Sequence, residues 1–184
     1  REQIEQMALF IPVEYTNLSI CPQGFIFTVS AAGQVSSPIK RLNSAGVDVL
    51  QWDGYIRPQG DQFYNHIGGI SGPSALIDID IDHNGIYRAL DSKRGRIFTY
   101  NRRGNLLFAF GGIGSQEGTF TNPVSIATKN DQLVVLEGRS GQITVFEPTE
   151  FGKNAIEGVV HYQNGRYEES NIAWEKVLTY NTNY

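Results

Sequence analysis

Between residues 73 and 111 apolar and polar positions alternate in short runs, and each run is closed by Asn, Asp or Gly. Over 76–81 the string Leu-Ile-Asp-Ile-Asp-Ile puts acidic side chains on alternate positions, the period of a strand with two unlike faces. Asp82-His83-Asn84-Gly85 reads as a turn, and 86–90 as a second strand. The turn 91–95 leads to a third strand over 96–100, and Asn101-Arg102-Arg103-Gly104 leads to a fourth over 105–110. Gly111-Gly112-Ile113-Gly114 breaks the pattern. Nothing in this stretch shows the 3.6-residue spacing of a helix.

The same pattern returns over 123–147. Gln132-Leu133-Val134-Val135-Leu136-Glu137 falls on Ile86-Tyr87-Arg88-Ala89-Leu90-Asp91, and Ser140-Gly141-Gln142-Ile143-Thr144-Val145 falls on Arg94-Gly95-Arg96-Ile97-Phe98-Thr99. The offset is about 46 residues, the size of a blade. A more divergent copy lies upstream, over 18–29 and, after an insertion, 39–46. Four short antiparallel strands per unit, with a turn residue at every corner, describe a β-propeller blade. The fold class expected is therefore mainly β, with about three four-stranded blades (residues 11–62, 73–112 and 123–150) inside a propeller region 1–152. Rings close with about four to eight blades, so these three are expected to form an open wedge, either part of a larger propeller or half of a ring completed by a second copy.

After residue 151 the period changes. Ala155, Val159 and Tyr162 recur on one helical face, Asn164-Gly165 interrupts, and Tyr167, Ile172 or Ser170, Trp174, Val177 and Leu178 form a second stripe. This predicts a C-terminal α-helical hairpin over 153–184, lying on the propeller or continuing into further repeats, with either the hairpin or residues 1–9 covering one outer face of the wedge. A short N-terminal helix is expected at 1–9, with Ile4 and Ala8 inward.

Asp91-Ser92-Lys93-Arg94-Gly95-Arg96-Ile97-Phe98-Thr99-Tyr100, followed by Gly104, resembles the NHL-repeat signature, in which an Asp ends one strand and an Arg-Ile pair opens the next. The third copy departs from it, with Gly141-Gln142 at the place of Gly95-Arg96. Tyr162 to Ser170, with Trp174-Glu175-Lys176-Val177-Leu178 and Asn181, is similar to one tetratricopeptide repeat. Together with Val145 to Gly152, these stretches resemble a group of bacterial membrane-associated NHL-repeat proteins that carry tetratricopeptide-like helices and a Yip-type membrane domain. The resemblance implies a module displayed on the extracytoplasmic side of the cell membrane and anchored by segments outside this stretch. The chain opens on Arg1 without methionine and stops within a periodic helical pattern, which fits that expectation.

Composition narrows the function. A net charge of −4 argues against a nucleic-acid partner, and the basic residues that do cluster (Lys93, Arg94, Arg96, Arg102, Arg103) fall in what read as hairpin turns with no aromatic platform between them. Cys21 is the single cysteine, so neither an internal disulfide nor a thiolate metal site is available. His66, His83 and His161 are scattered without zinc-ligand spacing, and no Gly-x-Ser-x-Gly elbow occurs. Gly111–Gly114 leads to no helix, so it cannot cradle a phosphate and reads as an inter-blade connection. Phe98, Tyr100, Phe108, Phe110 and Phe146 read as packing between blades.

Asp78, Asp80 and Asp82 are the most suggestive polar group. Alternation puts Asp78 and Asp80 on one strand face, and the first strand of a blade lies nearest the channel. They read as hydrogen-bond partners of neighbouring blades, or as a cation or polar-ligand site at the channel mouth. Arg94 and Arg96 join them as binding candidates. No catalytic residue, metal or cofactor is expected. The function expected is a non-catalytic scaffold for a protein or glycan ligand, with self-association through bare blade faces. The alternative is a metal-dependent lactonase-type hydrolase, which needs oxygen ligands converging from several blades.

Overall fold

The structure is a computed structural model that describes residues 14–30, 37–51, 56–62 and 70–184. The helix expected at 1–9 and His66 lie outside the described residues. Three antiparallel sheets lie side by side, each a meander. The first comprises β1 (Tyr15–Ile20), β2 (Ile26–Ser30) and β3 (Ile39–Leu42). The second comprises β4 (Leu76–Ile81), β5 (Tyr87–Asp91), β6 (Arg96–Tyr100) and β7 (Leu106–Gly111). The third comprises β8 (Pro123–Lys129), β9 (Gln132–Glu137) and β10 (Ile143–Phe146). Two helices follow, α1 (Glu150–Gln163) and α2 (Tyr167–Tyr180). The fold is a set of β-propeller blades with a C-terminal helical hairpin.

Each sheet begins at the inner edge of the wedge, where β4 packs between β1 and β8. Pairing register makes the three units superimposable. Each first strand carries one irregularity near its start, between Tyr15 and Asn17, Leu76 and Asp78, and Pro123 and Ser125. Beyond it Asn17 pairs with Val29, Asp78 with Leu90 and Ser125 with Leu136. These three inner residues are therefore the same position in successive blades.

The expected strands are met with small shifts. The second strand of the middle blade starts at Tyr87, because Asp82 holds the Ile86 amide in its turn. The fourth starts at Leu106 and runs through Gly111, whose positive φ ends it. Four strands were expected in every blade, but the first and third show three among the described residues. In the third, the chain after Phe146 enters Pro148 and Thr149, and the Thr149 hydroxyl accepts the Gly152 amide as an N-cap. Helix α1 thus begins at Glu150, ahead of the expected boundary, and takes the place of a fourth strand.

Two aromatic-rich layers join the blades. Phe27, Val29 and Ile39 pack against Ile79, Tyr87, Phe98 and Tyr100 between the first and second blades. Leu90 and Ile97 pack against Phe120, Ile126, Leu133 and Val135 between the second and third, with Phe110 and Phe146 at the margin. Phe108 turns instead towards the hairpin, its ring 6.3 Å from that of Phe151.

The hairpin does not cover an outer blade face. It rests on the middle blade, where Ile86, Leu107 and Phe108 meet Val159, Ile156 and Trp174, and the Tyr184 hydroxyl donates to the Leu107 carbonyl. The apolar side chains on the solvent-side edge of β7 provide this seat. The seam between the helices is narrower than the expected stripes. Ala155, Val159, Ser170, Ala173 and Val177 are buried, whereas Tyr162, Tyr167, Ile172 and Leu178 face solvent. The close approach explains this: an added Cβ on Gly158 would lie 2.7 Å from the Trp174 ring, and Ser170 Oγ donates to the Gly158 carbonyl at 2.8 Å.

Candidate functional site

The inner strands place two hydrogen-bonded rows across all three blades; the third blade joins the first row through the Ser125 side chain and the Ile126 amide, and the second through the Thr128 backbone amide alone. In the first row Asp78 Oδ1 accepts from Asn17 Nδ2 and from the Ile79 amide, while Oδ2 accepts the Ser125 hydroxyl at 2.6 Å and the Ile126 amide at 2.7 Å. In the second row Asp80 Oδ1 accepts the Ser19 hydroxyl at 3.1 Å, and Oδ2 accepts the Thr128 amide. Each carboxylate of the middle blade reaches one neighbour with one oxygen and the other neighbour with the second. Asp78 is buried and Asp80 half-buried, so these bonds form where unpaired charge would be costly.

Asp82 does not join these rows. Its Oδ1 accepts the Asn84 and Ile86 amides at 2.8 and 3.0 Å, closing the β4–β5 turn, and its Oδ2 lies 3.4 Å from the buried Arg88 guanidinium. Arg88 also donates to the Thr128 hydroxyl at 3.3 Å, a further link to the third blade.

The carboxylate that ends the second strand has its own recurring role. Asp91 Oδ1 accepts the Ala75 and Lys93 amides, both at 2.9 Å, and Oδ2 lies 3.4 Å from Arg94. Glu137, at the same position of the third blade, accepts the Thr121 amide and hydroxyl and the Asn122 amide. Both clamp the segment that enters their own blade. Arg94 also donates to the Gly72 carbonyl and, with Arg96, faces Asp61, whose carboxylate lies 2.9 Å from Arg96. Gly95 between them is required: its φ is +62°, and a Cβ would lie 2.8 Å from the Gly112 backbone.

The structure therefore brings Asp78 and Asp80 together, sets Asp82 in the β4–β5 turn, and places Arg94 in the β5–β6 turn and Arg96 at the start of β6, both facing Asp61. The Ser19 and Ser125 hydroxyls are partners of the neighbouring-blade kind that the sequence led us to expect, whereas Asn17 and the Thr128 amide were not foreseen. The signal was present in the repeat, since a polar residue recurs at the Asp78 position in every copy. Among the described residues no group of three or more His, Cys, Asp or Glu could hold a metal ion. His83 is exposed on a turn, and His161 sits on α1 with a buried, unpartnered Nδ1.

Among the described residues, two clefts open beside the hairpin, each larger than a third there of about 130 Å³ at Asp82, Arg88 and Lys153. One, of about 280 Å³, lies between the second and third blades and α1; Phe108, Phe110, Phe146 and Phe151 line it, with Arg88, Asp131 and Glu147 as its charged groups. The other, of about 270 Å³, lies between the first and second blades and the end of α1, where Arg41, His83 and Arg102 bring basic groups together. Arg41 stacks on Phe25, its guanidinium carbon 3.8 Å from the ring centroid. Burial pushes the Tyr87 phenol well above its ordinary range, with Tyr100 adding to the effect. Burial likewise raises Tyr100 and Tyr184, each to about 12.

No protein-family model matches the chain, and no curated protein matches it in sequence. In shape it is similar to virginiamycin B lyase from Staphylococcus aureus, at 12% identity and a TM-score of 0.44 over 73% of this chain and 41% of that one. The Dos1 propeller is similar at 11% identity and a TM-score of 0.43, over 78% of this chain and 37% of that one. The computationally designed Ika4 protein follows at 14% and 0.38, over 77% and 95%. The chain spans less than half the length of the first two. Among the described residues no helix is long and apolar enough to cross a membrane.

Proposed function

We propose that this chain is a non-catalytic binding module of the NHL-repeat kind, held on the extracytoplasmic side of a bacterial membrane by segments beyond this stretch and recognising a protein or glycan. One observation carries the reading. The inner-strand carboxylates, which a hydrolytic metal centre would need as open ligands, each bind protein donors through both oxygens. Their chemistry is directed at neighbouring blades and away from solvent. The signature residues support it too, since Asp91, Arg94 and Arg96 serve turns and clamps. The ligand site in this reading is the aromatic cleft beside α1, which pairs flat apolar walls with Arg88 and Asp131 at its polar margin.

Thermal melting under calcium titration, run beside a panel of lactone and ester substrates, tests the reading. The expected result is an unchanged melting temperature and no turnover. A glycan and peptide array should give binding that Asp131→Ala weakens. A melting temperature that rises with calcium, or turnover abolished by Asp80→Ala, would replace this reading with the lactonase-type hydrolase.

A further inference from the structure

We propose that two copies of this chain pair head to tail, the outer face of the third blade in one copy covering the outer face of the first blade in the other. The argument rests on repeat-equivalent positions. At the junction between the second and third blades, Leu90 and Ile97 are fully buried, at 0% exposure. Their equivalents on the far side of the third blade are Leu136 and Ile143, which are equally apolar yet 39% and 61% exposed. Val145 continues that face at 53%. At the junction between the first and second blades, Ile79 and Ile81 are 2% and 9% exposed; their equivalents on the far side of the first blade, Leu18 and Ile20, are 55% and 61% exposed.

Each bare face is thus the continuation of an interface the protein already builds. The two are of opposite kind: the third blade ends in the face that receives a following blade, the first begins in the face that receives a preceding one. A second copy covers both at once. Three sheets from each copy make six, within the range in which propellers close, and the two new junctions are related by a twofold axis. Burying contiguous apolar surface of this kind is the usual driving force for such association.

Sedimentation equilibrium on the 184-residue chain tests the pairing. A dimer is expected, lost in Ile143→Asp/Val145→Asp and equally in Leu18→Asp/Ile20→Asp, with circular dichroism unchanged in both. An equimolar mixture of the two variants should recover a dimer, because each supplies the face the other lacks. Should either Asp pair unfold the chain, Ile143→Thr/Val145→Thr and Leu18→Thr/Ile20→Thr keep strand-forming side chains and repeat the comparison. A monomer at the highest soluble concentration would overturn the proposal. So would a variant that still self-associates, since like faces would then be pairing, or a ladder of larger oligomers, since the ring would not be closing.

Discussion

The Ser125 hydroxyl donates to Asp78 Oδ2 at 2.6 Å, while Asn17 donates to the other oxygen of the same carboxylate. One side chain therefore spans three blades that are distant in sequence. Both oxygens also accept a backbone amide, Ile79 on one and Ile126 on the other. Asp78→Asn cannot keep both, because its amide nitrogen must face an N–H in either orientation. We expect it to cost about 2–3 kcal/mol, close to the cost of Asp78→Ala, since buried hydrogen bonds to charged groups carry about 1.5–3 kcal/mol. Urea unfolding measures this, and a loss below about 0.5 kcal/mol would show that the rows do not hold the blades together.

Asp91 and Glu137 should behave as one structural position with two lengths of side chain. Asp91→Ala leaves the Ala75 and Lys93 amides without their acceptor. The expected cost is about 2–4 kcal/mol, the sum of one or two unsatisfied buried donors. Glu137→Asp retracts the carboxylate from Thr121 and Asn122 and should cost about 1–2 kcal/mol. Hydrogen exchange at Ala75 and at Thr121 reads each clamp separately.

Tyr87 carries a buried hydroxyl with no hydrogen-bond partner, set among Phe27 and Tyr100 rings. Tyr87→Phe removes the orphaned group and keeps the ring. At neutral pH it should therefore be neutral or stabilising by about 1 kcal/mol. A destabilisation of that size would contradict the packing described.

Alkaline titration follows from two phenols, Tyr100 between the first and second blades and Tyr184 against the hairpin. Tyr100 and Tyr184 are each raised from 10 to about 12, chiefly by burial. In the unfolded chain the phenols ionise near 10 while the folded ones still hold their protons, so the folded state binds more protons in this interval. The stability they contribute is complete below pH 10 and is lost as pH rises through about 12. Absorbance at phenolate wavelengths should show a late-ionising group of tyrosines coinciding with unfolding.

Gly158→Ala sets two effects against each other. Alanine favours the helix interior by about 1 kcal/mol, but its Cβ would lie 2.7 Å from Trp174. Overpacking of this kind costs about 1–3 kcal/mol, so the net outcome is a loosened hairpin. Faster amide exchange across α1 and α2 with unchanged exchange in β4–β6 is the expected readout.

Much of the middle blade was legible from the sequence. The alternation of Leu76–Ile81 and the Asn, Asp and Gly residues of each turn fix strands and corners, because side-chain period and turn geometry are local properties. The first three strands of the copy at 123–147 were readable in the same way, whereas its fourth was not, because the chain after Phe146 turns into α1. The Thr149 cap was also local, in a Pro-Thr-Glu string ahead of α1, although the change of period drew the expected boundary later.

What local pattern could not supply was partnership. An acidic residue at Asp78 or Asp80 is compatible with a cation site and with a hydrogen-bonded link between blades, and the choice depends on what stands opposite. Asn17 and Ser125 lie 61 and 47 residues away in sequence, and only the packing of β4 between β1 and β8 brings them within reach. The seat of the hairpin is decided in the same way. Its apolar stripes name the residues able to be buried, but the close approach at Gly158 selects a narrower seam, and the apolar edge at Leu107 and Phe108 selects the middle blade. Period and turn chemistry act over a few residues and are written in order along the chain; hydrogen-bond satisfaction and complementary surface act between residues that only the folded chain brings together.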